Sequence, residues 1–212
     1  MDVEKNHSKK IILFDFDGVI ADSFQAAFAV HKMISPHIVE DDYRSWFEGN
    51  INNWKDTAGP GTHRSDIDFF TEYLPKMKNE VEMVPGILKV IEKLAHSYTL
   101  IIVSSTITSP IREFMEQHEA AQYFTEIMGN DVHQSKVEKI KMVFAKHKAS
   151  PESCVFITDT LGDLKEASQA GVGAIGVAWG FQRKETLLKG NPLCVAEKPE
   201  ELPVAILNYF RK

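Results

Sequence analysis

Four short runs of almost unbroken apolar residues, rich in Ile and Val, constrain this chain more than any other feature: Lys10–Phe16, Thr99–Val103, Cys154–Thr158 and Ala174–Ala178. A strand with one face in water alternates polar and apolar side chains. A run without that alternation needs cover on both faces, which parallel strands receive from crossover helices. Helical patterns do separate the runs. Pro85-Gly86 opens an amphipathic stretch through Leu94, Ser109-Pro110 has N-cap and first-position chemistry, and Leu161–Ala170 stops at Gly171. Strand and helix in alternation predict an α/β fold built on a doubly wound, Rossmann-like parallel sheet.

One segment breaks the alternation. From about Phe24 to about Val81 the sequence predicts helices over Phe24–Ile34, Asp41–Glu48 and Asp66–Met77, the last interrupted near Pro75, and no strand. The chain therefore divides into an α/β core, residues 10–23 and 82–212, and a small inserted helical domain, residues 24–81. At 212 residues there is enough chain for both.

Composition narrows the function classes. A formal net charge of -6 argues against a general affinity for nucleic acid or anionic membrane, so any phosphate site must be built locally. No apolar run is long enough to span a bilayer and the polar start lacks a secretory h-region, which makes a cytoplasmic location the expectation. Cys154 and Cys194 stand far apart without metal spacing and read as buried reduced thiols. The eight His residues show no paired spacing.

The chemistry gathers where the strands end. Asp15 and Asp17 follow the first run, Ser104 and Ser105 the second, and Asp159, with Asp163 close behind, the third. In open α/β sheets the crevice beyond the carboxyl ends of the strands is where ligands bind. Two carboxylates about 4 Å apart repel by roughly 4 kcal/mol at an effective dielectric of about 20. A hard divalent cation offsets this most simply: a carboxylate cluster without His or Cys suits Mg²⁺, an ion that shares its shell with water and phosphate. Phosphoryl transfer is then the leading chemistry, with one carboxylate as nucleophile and another carrying the proton. A turn or cap role accounts well for Asp22, poorly for the two acidic pairs together.

At this point the sequence resembles the haloacid dehalogenase superfamily, in its phosphoglycolate phosphatase and β-phosphoglucomutase-like subgroup with a small helical cap after the first motif. Asp15-Phe16-Asp17-Gly18-Val19 matches the first motif, Ile101-Ile102-Val103-Ser104 the second, and Thr158-Asp159-Thr160-Leu161-Gly162-Asp163 the acidic fourth. Lys136 best matches the motif lysine, although the proline that often follows it is Val137 here. The resemblance implies Asp15 as the phosphorylated nucleophile and Asp17 as general acid and then base. It implies Mg²⁺ on Asp15, the main-chain carbonyl of Asp17 and Asp159, with Asp163 acting through water or as support. Ser104 and Lys136 would hold the phosphoryl group, with Ser105 as a substitute for Ser104.

Lys139 and Lys141 share the helical segment of Lys136 and read as surface lysines. Asn50, Asn53 and Lys55, in the cap, are the candidates for touching the leaving group, beside two tryptophans that equally suit helix packing. Trp179-Gly180-Phe181 follows the fourth run and either borders the site or, as the first expectation, packs in the core. The resulting expectation is a Mg²⁺-dependent phosphatase for a small phosphorylated metabolite. A sugar-phosphate mutase of the same family and a silent binding module on the same fold are the alternatives.

Overall fold

The computed structural model describes residues 10–53 and 66–211. Six parallel strands lie in the order β3-β2-β1-β4-β5-β6: β1 (Ile11–Phe14), β2 (Thr99–Val103), β3 (Glu126–Met128), β4 (Cys154–Thr158), β5 (Gly173–Val177) and β6 (Cys194–Ala196). β1 is central, with Leu13 opposite Ile101 of β2 and Phe156 of β4. Every residue of β1, β2 and β4 is buried. Alternation sends their side chains to two cores. Ile12, Phe14, Leu100 and Ile102 pack toward α4 (Ile87–Ala95), α5 (Thr108–Gln117) and α9 (Leu202–Phe210). Ile11, Leu13, Ile101 and Phe156 pack toward α6 (Lys136–His147) and α7 (Leu161–Gln169). The expected doubly wound sheet is therefore present, with two strands more than the sequence predicted.

β3 and β6 have three residues each, and Cys194 at the start of β6 is exposed rather than buried. Such short segments at the sheet edges carry no apolar run to detect. Two helix starts also differ. α5 begins at Thr108 with Ile107 at its N-cap, so Ser109 and Pro110 sit inside the first turn. The third inserted helix runs unbroken through Pro75, which lacks only the one hydrogen bond its nitrogen would have donated.

The inserted segment contributes α1 (Phe24–Ile34), α2 (Glu40–Ser45) and α3 (Phe69–Glu80), and among the described residues no strand. Its entrance and exit run side by side. Val84 N donates to Ile20 O at 2.8 Å and Asp22 N to Glu82 O at 2.9 Å, around an antiparallel bridge of Ala21 with Met83. Both chain crossings thus form one narrow ribbon directly below the end of β1. Gly18, at φ +73°, turns the chain out of the sheet into this ribbon, and a Cβ there would collide with the Asp159 carboxylate.

Candidate active site

β1, β2 and β4 end on the same edge of the sheet, and their following residues meet in a cavity of about 200 Å³. Asp15, Asp17, Lys136, Asp159 and Asp163 all line it, so the structure brings together the acidic residues and the lysine expected from sequence. At its centre is a buried ion cluster. Lys136, the first residue of α6, places its ammonium 2.8 Å from Asp15 Oδ2 and 2.7 Å from Asp163 Oδ2. Phe16 N donates to Asp15 Oδ1 at 2.8 Å, and Thr158 Oγ1 donates to Asp163 Oδ2 at 2.7 Å. Each carboxylate of the trio is thus oriented by a neutral donor as well as by the shared ammonium.

Burial sets the electrostatics. It pushes the carboxyl of Asp15 well above the usual carboxylate range, and the Lys136 ammonium pulls it back. Burial alone would raise Asp163 too, but Lys136 and the hydrogen bonds around it hold that carboxyl below its ordinary value. Lys136 is itself penalised by burial, yet Asp15 and Asp163 raise its pKa, so it remains an ammonium.

Asp17 faces another set of partners. It accepts from Ser23 Oγ at 2.8 Å and Tyr73 OH at 2.6 Å on Oδ1, and from Thr106 Oγ1 at 2.7 Å on Oδ2. Ser23 precedes α1 but makes no side-chain cap there; its hydroxyl serves Asp17. Tyr73 reaches over from α3, which joins the inserted segment to the acid directly. Three hydroxyls fix this carboxylate away from the Lys136 cluster.

Asp159 is wholly buried, and its position has the character of a cation site. Phe181 N donates to Oδ2 at 2.6 Å, while Oδ1 is buried with no hydrogen-bond partner. Burial pushes this carboxyl up to about 7, against the Phe181 amide. Such an oxygen costs free energy until something positive meets it. Among the described residues no three His, Cys, Asp or Glu side chains form a ready cage. Asp159 Oδ1 is the one buried side-chain oxygen among these acids left without a partner, while Asp15 and Asp163 share the Lys136 ammonium and the Asp17 carboxylate is held by hydroxyls. An all-oxygen acidic lining around that unpartnered oxygen, with water and main chain to complete a shell, fits Mg²⁺.

Several sequence expectations are relocated. Ser104 is fully buried and its Oγ accepts from Thr106 N at 3.0 Å, while Ser105 and Thr106 line the cavity instead. Lys139 is not a surface lysine: one turn beyond Lys136 it is completely buried, donating to the carbonyls of Ser104 and Gly129. Lys141 is exposed, as expected. Asn50 donates its amide to Oε1 of the cavity-lining Glu166 at 3.0 Å, and Asn53 is exposed; of the three asparagines, Asn52 lines the cavity. Lys55 lies outside the described residues. Phe181 lines the cavity as well as packing.

Glu166 was not singled out by sequence. Buried on α7, it also accepts from Lys136 N at 3.0 Å and Ser135 Oγ at 3.3 Å. Its spacing of three from Asp163, itself three from Thr160, puts all of them on one helical face, and that periodicity is the missed signal. Tyr73 and Thr106 carried weaker signals, a tyrosine four residues after Phe69 and a hydroxyl run after β2.

The family model of haloacid dehalogenase-like hydrolases matches residues 12–177, which takes in all but the first residue of β1, the inserted segment and every later strand through β5. The chain belongs to that family. It is 24% identical over 210 residues to a phosphoglycolate phosphatase of Synechococcus elongatus, covering 95% of this chain and 99% of that one. It is 23% identical to a phosphoglycolate phosphatase of Vibrio parahaemolyticus, covering 91% and 94%. Among solved structures, a haloacid dehalogenase-like hydrolase from Streptococcus pneumoniae superposes with a TM-score of 0.79 at 23% identity, over 94% of this chain and 99% of the other. The two curated relatives are phosphatases, and the solved structure shares the fold. Among the described residues no helix is long and apolar enough to cross a membrane.

Proposed function

We propose that the protein is a Mg²⁺-dependent phosphatase that hydrolyses a small phosphorylated metabolite through an aspartyl phosphate on Asp15. The observation that carries this reading is the division of labour between the two acids. Asp15 is backed by an ammonium, as a nucleophile facing phosphoryl oxygens requires, while Asp17 is held apart by three hydroxyls.

Asp15 and Asp159 would hold the ion, with the main-chain carbonyl of Asp17 as a third protein ligand and Asp163 acting through Lys136. When bound, Mg²⁺ supplies positive charge between the carboxylates and the phosphoryl oxygens. A carboxylate oxygen of Asp15 attacks phosphorus as the bond to the leaving oxygen breaks. Asp17 gives that oxygen a proton. It then takes a proton from the water that attacks the phosphorus, releasing phosphate and restoring Asp15. Lys136 keeps Asp15 ionised and faces the developing charge, and the cavity-lining Ser105 supplies a hydroxyl for the phosphoryl oxygens. The inserted helices serve as a cap, residues 24–81, that excludes water while the aspartyl phosphate forms.

Phosphate release from a panel of phosphomonoesters tests this reading. Turnover should vanish in exhaustive chelator and return with Mg²⁺; full turnover in chelator contradicts it. Asp15→Asn should lower the rate on the order of 10⁵-fold while the variant remains folded.

A further inference from the structure

The cavity wall opposite the aspartates has a chemistry of its own. Tyr43, Phe47, Phe69, Phe70 and Tyr73 of the inserted segment line it, together with Phe181 from the core. The rings hold one another in place. Phe69 stacks on Tyr73 at 5.1 Å and on the lining His31 at 4.5 Å, while Phe47 meets Phe181 edge-on at 4.9 Å. Tyr73 is further pinned by its hydrogen bond to Asp17. Tyr43 and Tyr73 are almost wholly buried and back the half-buried Phe47, Phe69 and Phe70, whose edges remain to meet a ligand, and a pre-formed set of rings loses little freedom when a ring is packed against it.

Charge points the same way. Asp15, Asp17, Asp159, Asp163 and Glu166 all line the cavity, against Lys136 as the only lysine or arginine among the described lining residues. That ammonium is committed to two carboxylates, at 2.8 and 2.7 Å. Among the described lining residues, a second anion on the substrate, beyond the phosphoryl group that the ion and Lys136 receive, would therefore face carboxylates and no uncommitted ammonium or guanidinium.

We infer that the leaving group of this enzyme is an uncharged, flat ring on a short alcohol, not a carboxylate such as glycolate and not a second phosphate. The inference rests on the phosphatase reading for its chemistry, and on the aromatic wall and the charge count for its specificity. It also separates this chain from the phosphoglycolate phosphatases it resembles. Phe69, which bridges His31 and Tyr73, is the specificity-determining residue.

The test compares kcat/KM for benzyl phosphate, phosphoglycolate and glucose 6-phosphate, three esters of primary alcohols, so that leaving-group activation does not decide the result. Benzyl phosphate should exceed both others at least tenfold, and Phe69→Leu should shrink that ratio severalfold. A ratio of two substrates on one sample is independent of how much of the variant is folded. Phosphoglycolate or glucose 6-phosphate turning over as fast as benzyl phosphate overturns the inference. If phosphoglycolate wins and His31→Phe abolishes its advantage, His31 reads a carboxylate and the ring is excluded. Should no ester turn over at all, the phosphatase reading fails separately, and calorimetric titration of the same three esters still decides. Tighter benzyl phosphate supports the ring; equal or tighter binding of either other ester refutes it.

Discussion

The two walls of the cavity differ in kind. The wall contributed by the sheet is ionic: Asp15, Lys136, Asp163 and Asp159 stand at the ends of buried strands and in the first turns of α6 and α7, all of them buried and the first three joined by ion pairs. The wall contributed by the insertion is aromatic. It is fastened to the core by a ribbon of two chain crossings and by polar contacts that reach over the gap: Tyr73 to Asp17, Asn50 to Glu166, Asn52 Nδ2 to the Gln134 carbonyl, Lys165 to the Glu48 carbonyl. At one point the approach is close enough that Gly162 of α7 cannot carry a Cβ without striking the Gly49 carbonyl. The difference teaches where each property resides. Bond making needs charges fixed to fractions of an ångström, which the sheet provides; selection needs a surface that can open, fit a ring and close.

The largest expected effect on this contrast is in the ionic wall. Lys136→Ala leaves Asp15 and Asp163 buried together without their cation. It should cost about 3–5 kcal/mol of stability by urea denaturation and on the order of 10²- to 10³-fold in rate. A variant as stable and active as wild type would dissolve the distinction between the walls.

Lys139 sharpens the comparison from within the core, because it is buried on the same helix but donates only to carbonyls. Burial, aided by repulsion from Lys136, lowers its pKa from the ordinary 10.5 to about 8. Between those values the unfolded chain binds more protons than the folded one, so stability from this group rises with pH over that window. Relative to Lys139→Met, wild type should gain on the order of 3 kcal/mol from pH 8 to pH 10.5. A flat difference between the two proteins would mean that Lys139 is charged and satisfied throughout.

The smallest effect belongs to the fastening. Asn50→Ala removes one side-chain contact between the walls and should cost about 1 kcal/mol, with severalfold losses in kcat/KM that are equal for every phosphoester. A changed substrate ranking would return Asn50 to the leaving-group pocket.

The sheet and the ionic wall were legible in sequence for one physical reason. A parallel strand buried on both faces must be apolar throughout, so a carboxylate at its end stands out, as Asp15 does behind Ile11–Phe14 and Asp159 behind Cys154–Thr158. Lys136 could be read from its motif position, but nothing local separated the buried Lys139 from the exposed Lys141. Their burial depends on which face of α6 meets the sheet. The aromatic wall was illegible for the opposite reason: Phe69 and Tyr73 are spaced like ordinary helix packing, and only the fold sets them against Asp17. Ser104 is buried with its hydroxyl accepting from Thr106 N, and Asn50 is bonded to Glu166, contacts that depend on the fold and not on position along the chain.

The central claim, that Asp15 carries the phosphoryl group, is tested most directly in the Asp17→Asn variant mixed with Mg²⁺ and an activated aryl phosphate. Departure of such a group needs little proton donation, whereas release of phosphate from Asp15 needs the base that the variant lacks. Rapid quenching and peptide mass mapping should find close to one phosphoryl group per chain, on the peptide containing Asp15. Release of the aryl alcohol with no adduct, or with an adduct on any other residue, would contradict the account.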